Sequence, residues 1–274
     1  VDELQTRNTN KRAFDDLIEF CKLMMPDFIV GRHHKILADM LMGIERGDKD
    51  RVCVNIPPRH GKSQLVSIFY PAWFLGRNPG KKVMMVSHTT DLAVDFGRKV
   101  RNLIATDTYS SIFPTVKLAQ DSKSAGRWNT NVGGEYYACG IGSALAGRGA
   151  DLLLIDDPHS EQDVINGNFE VFEKAYEWFT FGARTRLMPG GRVAIIQTRW
   201  HLDDLTGRVT RDMSKNERSD QYEVVEFPAI LDVKDPKTKK MVQKPLWPEF
   251  FDLEALLRTK ASMPVFQWNS QYQQ

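Results

Sequence analysis

The sequence predicts an α/β fold with a mainly parallel sheet flanked by helices, and three observations carry that prediction. Short Val- and Ile-rich runs recur, at Arg51–Ile56, Lys82–Ser87, Asp151–Ile155 and Arg192–Thr198, and read as strands buried on both faces. Each is followed by a polar turn and then a stretch of helical periodicity, at Ser63–Leu75, Asp91–Ile104, Phe169–Phe181 and Asp203–Arg211. Chemistry-bearing residues cluster where the strands run out, the place at which open α/β sheets carry ligands.

Taken in order, two amphipathic stretches, Phe14–Met25 and His34–Ile44, read as helices leading into the first strand. Thr89, Thr90 or Asp91 can cap the helix after the second strand. Beyond about residue 214 the texture changes. "SKNERSD" is a polar link, Tyr222–Phe227 a strand, "DVKDPKTKKM" a charged turn and "LWPEFFDLEALLRTK" a short helix. The expected division is therefore a core over residues 1–214, with a helical lead-in over 1–50, and a small lid or linker subdomain over 215–274. The charged turn reads as a solvated loop tip, with a DNA-facing loop as the other reading.

At 274 residues the chain is long enough for a substantial core, and 42% apolar against 26% charged residues is the balance of a water-soluble globular protein. No run reaches the ~18 apolar residues of a membrane span, and the polar N-terminus is unlike a signal peptide. Three scattered cysteines argue against a disulfide framework and fit a reducing cytosol. With a net charge of only +2, contact with nucleic acid must come from local basic clusters.

The first strand runs into "NIPPRHGKSQ". A strict phosphate loop has Gly, four residues, then Gly-Lys-Ser/Thr, and here Ile56 stands where the first glycine belongs. The chemically direct half survives. Gly61 lets the backbone approach phosphates, Lys62 can reach the β/γ oxygens and Ser63 can ligate Mg²⁺. Pro57 and Pro58 can stiffen the loop, and a helix N-terminus follows for the phosphates. By itself this is a nucleotide site or a plain strand-turn-helix. A second motif, "DLLLIDDPHS", ends an aliphatic strand in two acids. Asp156 would hold Mg²⁺ through its water shell and Asp157 would orient the attacking water; alone it could equally be an Asp-Asp-Pro turn. Together the two motifs specify a P-loop NTPase. In "VAIIQTRWH", Gln197 and Thr198 emerge at a strand end able to touch a γ-phosphate or its water, and Arg199 could carry that signal outward.

With those elements in order, the chain resembles the N-terminal ATPase domain of the large terminase subunit of tailed bacteriophages, of the ASCE class of P-loop folds. "NIPPRHGKS", "MMVSHTTDLAVDFGRKVR", "GRGADLLLIDDP", "TRLMPGGRVAIIQTRWHLDDLTGR" and "FQWNSQYQQ" carry the resemblance, which runs from about residue 28 onward. It implies an ATP- and Mg²⁺-dependent motor that drives double-stranded viral DNA into a procapsid. The implied partners are the portal protein, a small terminase subunit and further copies in a ring, usually of five, in the cytoplasm of an infected bacterium with no membrane role. It also implies that a C-terminal nuclease domain belongs to the parent protein and is absent from this chain. Competing readings are a helicase-like ATPase and a nucleotide-binding switch with little turnover.

The resemblance assigns residues. The loop Pro58, Arg59, His60, Gly61, Lys62, Ser63 and Gln64 would surround the nucleotide, and such loops accept proline and arginine where the first glycine is missing. Asp156 matches the Mg²⁺-holding acid and Gln197–Thr198 the coupling motif. Asp157 stands where many members carry a catalytic glutamate, one methylene longer, and Glu161 is the fallback. Arg148, between glycines, resembles an arginine finger offered to a neighbour's site; Arg59 acting within its own subunit is the other assignment, and a simple turn residue the bland one. Arg32, His33 and His34 lie where the family contacts the base, or are incidental to a helix start. Arg98, Lys99, Arg101 and Lys123 are candidates to line a DNA channel, or ordinary surface charges.

Overall fold

The near-continuous apolar runs become strands covered on both faces in the computed structural model, which describes residues 3–122, 124–165, 167 and 169–274. Helices α1 (Glu3–Asp15), α2 (Leu17–Met24) and α3 (Arg32–Arg46) lead into β1 (Arg51–Asn55). The phosphate-loop candidate follows, then a π-helical segment (Gln64–Phe69) continuous with α4 (Tyr70–Arg77). Next come β2 (Lys82–Ser87), α5 (Thr90–Ile104), α6 (Asp107–Ile112), β3 (Arg127–Asn129), β4 (Glu135–Gly140) and β5 (Ala150–Asp156). After α7 (Glu161–Ile165), α8 (Glu170–Glu177) and a second π segment (Trp178–Ala183), β6 (Leu187–Gln197), α9 (Leu205–Lys215) and β7 (Glu223–Glu226) complete the main unit. The hairpin β8 (Ile230–Lys234) and β9 (Met241–Pro245) precedes α10 (Leu253–Ala261) and α11 (Val265–Tyr272).

The main sheet has the order β3-β4-β2-β5-β6-β1-β7, parallel except for the edge strand β3. Strand periodicity of two distributes its side chains cleanly. Val52, Val54, Val83, Met85, Leu152, Leu154, Ala194 and Ile196 face the core under α1–α6, whereas Cys53, Met84, Val86, Leu153, Ile155, Val193 and Ile195 face Phe179, Leu205 and Val209. This two-sided burial is why the strands read as unbroken apolar runs. No helix among the described residues is long and apolar enough to cross a membrane.

Three local features depart from the expected elements. Asp16 breaks the expected 14–25 helix in two, because its carboxylate accepts the Glu19 N–H as an N-cap at 2.9 Å. The helix expected over 63–75 is wound wide at Gln64–Phe69, where Tyr70 N–H reaches back to Leu65 O. Pro71, which has no N–H and whose ring would crowd the Ser67 carbonyl in α geometry, accounts for the wide turn. The sheet also runs past residue 214: β7 pairs in parallel with β1, so the separate unit begins with β8. That unit has its own small core of Ala229, Ile230, Leu256 and Trp268, and the charged turn is the tip of its hairpin.

Candidate functional site

Three strand ends meet at one point. β1, β6 and β5 are adjacent in the sheet, so the loop after β1, the Gln197–Thr198 pair after β6 and the paired acids after β5 emerge side by side. Lys62 Nζ lies 2.9 Å from Asp157 Oδ2 and donates to Thr198 Oγ1 at 3.1 Å. The Thr198 hydroxyl in turn donates to Ile56 O at 3.2 Å, and its backbone N–H donates to Asp157 Oδ1 at 2.8 Å. Burial alone would lower the Lys62 pKa, but the carboxylates of Asp157 and Asp156 outweigh it and hold the ammonium charged.

The loop's shape depends on Gly61. Its φ of 77° lies in the left-handed region, and a Cβ there would collide with His34 Nε2. Arg59 (φ 63°) and Asp157 (φ 45°) also sit at positive φ without being glycine, a conformation usually held only where surrounding structure enforces it. Arg59 is exposed and forms no ion pair among the described residues.

Asp156 is buried, with 1% of its surface exposed. Its Oδ2 accepts the Ser67 hydroxyl at 2.6 Å, and its Oδ1 is buried with no hydrogen-bond partner. Burial, reinforced by Asp157, pushes its pKa up to about 6 against the opposing pull of Lys62, Ser67 and Ser63. An unpartnered buried carboxylate oxygen beside the Ser63 hydroxyl suits a hard cation that takes one or two protein oxygens and completes its shell from substrate phosphates and water. Among the described residues no group of three or more His, Cys, Asp or Glu side chains is arranged to hold a metal. Gln197 is fully buried and both its amide atoms lack partners, so a second uncommitted polar group sits at the same sheet edge.

The histidines occupy a different place from the one expected. His33, His34 and His60 are fully buried. His33 and His34 each donate from Nε2 to His60 O at 3.0 Å, Gly31 N–H donates to His34 Nδ1 at 3.0 Å, and His60 Nδ1 donates to Pro58 O at 2.9 Å. These rings brace the loop from beneath, His34 edge-on to Trp247 and His60 tilted against Phe251 of the C-terminal unit, and none of them is exposed to meet a base. Of the candidates for base contact only Arg32, at the start of α3, is exposed. Burial lowers all three histidine pKa values, to about 3 for His34 and about 4 for His60. His60 therefore turns inward as a strut, whereas Pro58 and Gln64 stay partly exposed beside the loop.

The remaining candidates are scattered. Arg148 precedes β5 and sits over Tyr137 (4.3 Å to the ring centre) and near Glu135, which begins β4. That is the opposite end of β5, roughly 20 Å of strand from Asp156 at ~3.3 Å per residue. Glu161 is exposed at the start of α7. Arg98 and Lys99 both pair with Asp95 on α5; Arg101 lies on the same helix, and Lys123 falls outside the described residues.

Ser67 and a polar ring around Arg199 went unread in the sequence. Arg199 Nε donates to the fully buried Asp204 at 2.8 Å, and its Nη1 lies 3.5 Å from Glu226 Oε1. Asn55 Nδ2 donates to the same Glu226 oxygen at 3.2 Å, and Thr206 Oγ1 donates to Asn55 Oδ1 at 3.2 Å. A lone hydroxyl in the apolar run "QLVSIF" was the available signal for Ser67; no local pattern marked Glu226.

A family model described as the N-terminal part of the terminase large subunit, T4likevirus-type, matches residues 53–255. The chain is similar in fold to an arginine-to-alanine variant of the Thermus phage P74-26 large terminase ATPase domain, at 17% identity, over 85% of this chain and 91% of that one, with a TM-score of 0.51. It is similar to the HK97 bacteriophage large terminase at 14% identity over 97% of this chain and 55% of that one, with a TM-score of 0.56. The large terminase of a thermophilic bacteriophage, solved in complex with ATP-γ-S, matches at 12% identity over 84% of this chain and 50% of that one, with a TM-score of 0.52. The chain thus spans about half the length of the latter two. No curated protein matches it.

Proposed function

The chain belongs to the terminase large-subunit family, of which it carries the N-terminal region, and from that premise we propose that it hydrolyses ATP to move double-stranded viral DNA into a procapsid. The observation that carries this reading is the junction of Lys62 with Asp157 and Thr198, which joins three strand ends of different sequence position into one polar centre. A triphosphate entering there would take Lys62 away from Asp157. The loop Pro58–Gln64 would wrap the phosphates, Gly61 giving close backbone approach, and Ser63 and Asp156 would hold Mg²⁺. When bound, that ion neutralises phosphate charge and polarises the transferred group.

Asp157, freed from Lys62, would orient water, its direction held by the Thr198 N–H. Gln197 and Thr198 sense the nucleotide, and Arg199 links them to Asp204 and Glu226. Arg148 lies too far from its own site to act within one subunit, so we assign it to a neighbour's site in a ring; exposed Arg59 remains the residue able to act in its own. The 230–274 unit serves as a lid or linker, braced on the loop through Trp247, Phe251 and the histidines. Grip on DNA comes from phosphate contacts, which are independent of base sequence and weakened by salt. A ring of copies, counted as five on the family resemblance, on a portal protein with a small terminase subunit, in the cytoplasm of the infected host, completes the proposal. A nuclease domain is assigned to the longer parent.

ATP binding and hydrolysis, measured with and without double-stranded DNA, test the reading. Hydrolysis raised by duplex DNA is the expected result. Stimulation by single strands alone favours a helicase-like enzyme, tight binding without turnover favours a switch, and absence of nucleotide binding removes the proposal.

A further inference from the structure

The Asp156 carboxylate is presented unevenly. One oxygen takes a short hydrogen bond from Ser67 and the other is buried without any partner. Ser67 itself is fully buried and belongs to neither the loop nor the acid pair. It reaches Asp156 because it lies four residues after Ser63, on the same side of the helix, within the π-helical segment that precedes Pro71.

Fixing one oxygen of a carboxylate fixes the direction of the other. A carboxylate rotating freely in a buried site would have to be ordered at the moment a cation arrives, at an entropic cost. A hydroxyl that has already ordered it removes that cost, as outer-shell hydrogen bonds do for ligating groups generally. We propose that Ser67 is a positioning residue that holds Asp156 with one oxygen free for the divalent ion accompanying the nucleotide. The inference rests on the nucleotide reading given above and adds to it a residue outside the loop and the acid pair.

The experiment compares ADP affinity with Mg²⁺ and with EDTA, in the full 274-residue chain and its Ser67→Ala, Ser67→Cys and Ser67→Thr variants. The ratio of the two affinities reports the metal's contribution, and the metal-free affinity reports an intact loop. Ser67→Ala should leave metal-free binding within about twofold and cut the Mg²⁺ enhancement by about tenfold. Ser67→Cys, of similar volume but a weak donor, should lose most of the enhancement, and Ser67→Thr, which keeps the hydroxyl, should retain most of it. A purely packing role would leave the ratio unchanged in Ser67→Ala, and that result overturns the inference while leaving the nucleotide reading standing. Loss of the ratio to the same extent in Ser67→Thr also overturns it. A wild-type chain that binds no ADP under either condition removes the nucleotide reading and the inference with it.

Discussion

Lys62 Nζ and Asp157 Oδ2 stand 2.9 Å apart, so the cation of the phosphate loop is held by an acid of the pair that ends β5. Lys62 is almost fully buried, with Asp156 as the second anion that holds its ammonium charged. On the proposed function, incoming phosphates would supply the replacement anion. Lys62→Ala should therefore lower turnover by at least about a hundredfold and weaken ATP binding, with the far-ultraviolet circular dichroism spectrum unchanged. Equilibrium binding and steady-state hydrolysis of the variant check this; wild-type turnover would remove Lys62 from the site.

Asp157 lies at φ 45° with both carboxylate oxygens engaged. Asparagine tolerates the left-handed region well, so Asp157→Asn should fold normally and bind ATP within a few-fold of wild type. Its single-turnover hydrolysis should fall by about 10²–10⁴-fold, the usual contribution of a positioned base. Unchanged hydrolysis would shift the role to Glu161.

Arg148 and Asp156 lie at opposite ends of the central strand β5, so on the proposed function an arginine serving the acid centre from this position would serve another copy. Activity should rise with protein concentration, and Arg148→Ala should lose about 10³-fold in rate. Mixing it with Lys62→Ala should restore measurable hydrolysis, because each variant supplies what the other lacks. Failure of every mixing ratio to do so would return Arg148 to a turn residue packed on Tyr137.

The histidine strut makes stability depend on acid. His33, His34 and His60 are held neutral by burial, so the unfolded chain binds more protons than the folded one once pH falls below about 6.5. Their contribution is complete above that pH and is lost on acidification down to about 4 for His60 and about 3 for His34. Urea unfolding from pH 7 to 5 should show falling stability in wild type and a shallower fall in His60→Gln. Parallel slopes in the two proteins would count against the strut.

The parallel sheet was legible because burial on both faces leaves unbroken aliphatic runs such as "DLLLID" and "RVAIIQ", and the acids at their ends declare which end carries chemistry. β3 and β4 were not legible. "RWNTNVGGEYYACG" mixes polar and aromatic residues, because one of these strands is an edge and pairs antiparallel across a Gly-Gly turn. The hairpin β8–β9 was hidden in the same way, since its strands bury few residues and alternate weakly. At the site, residues adjacent in a motif could be read, whereas contacts made by distant segments could not. His34 carries no mark in sequence of lying under Gly61, and its burial there is a property of how α3 packs against the loop. Placed there, His34 supports the backbone of the loop through its bond to His60 O.

Glu226 stands partly in solvent on the outermost strand, yet one of its oxygens meets both Asn55, the last residue of β1, and Arg199, just beyond β6. Because β7 leads directly into the hairpin unit, this carboxylate ties the start of that unit to the ends of both β1 and β6. A side chain reachable from the surface is thus the point at which solvent meets a carboxylate shared by two strand ends.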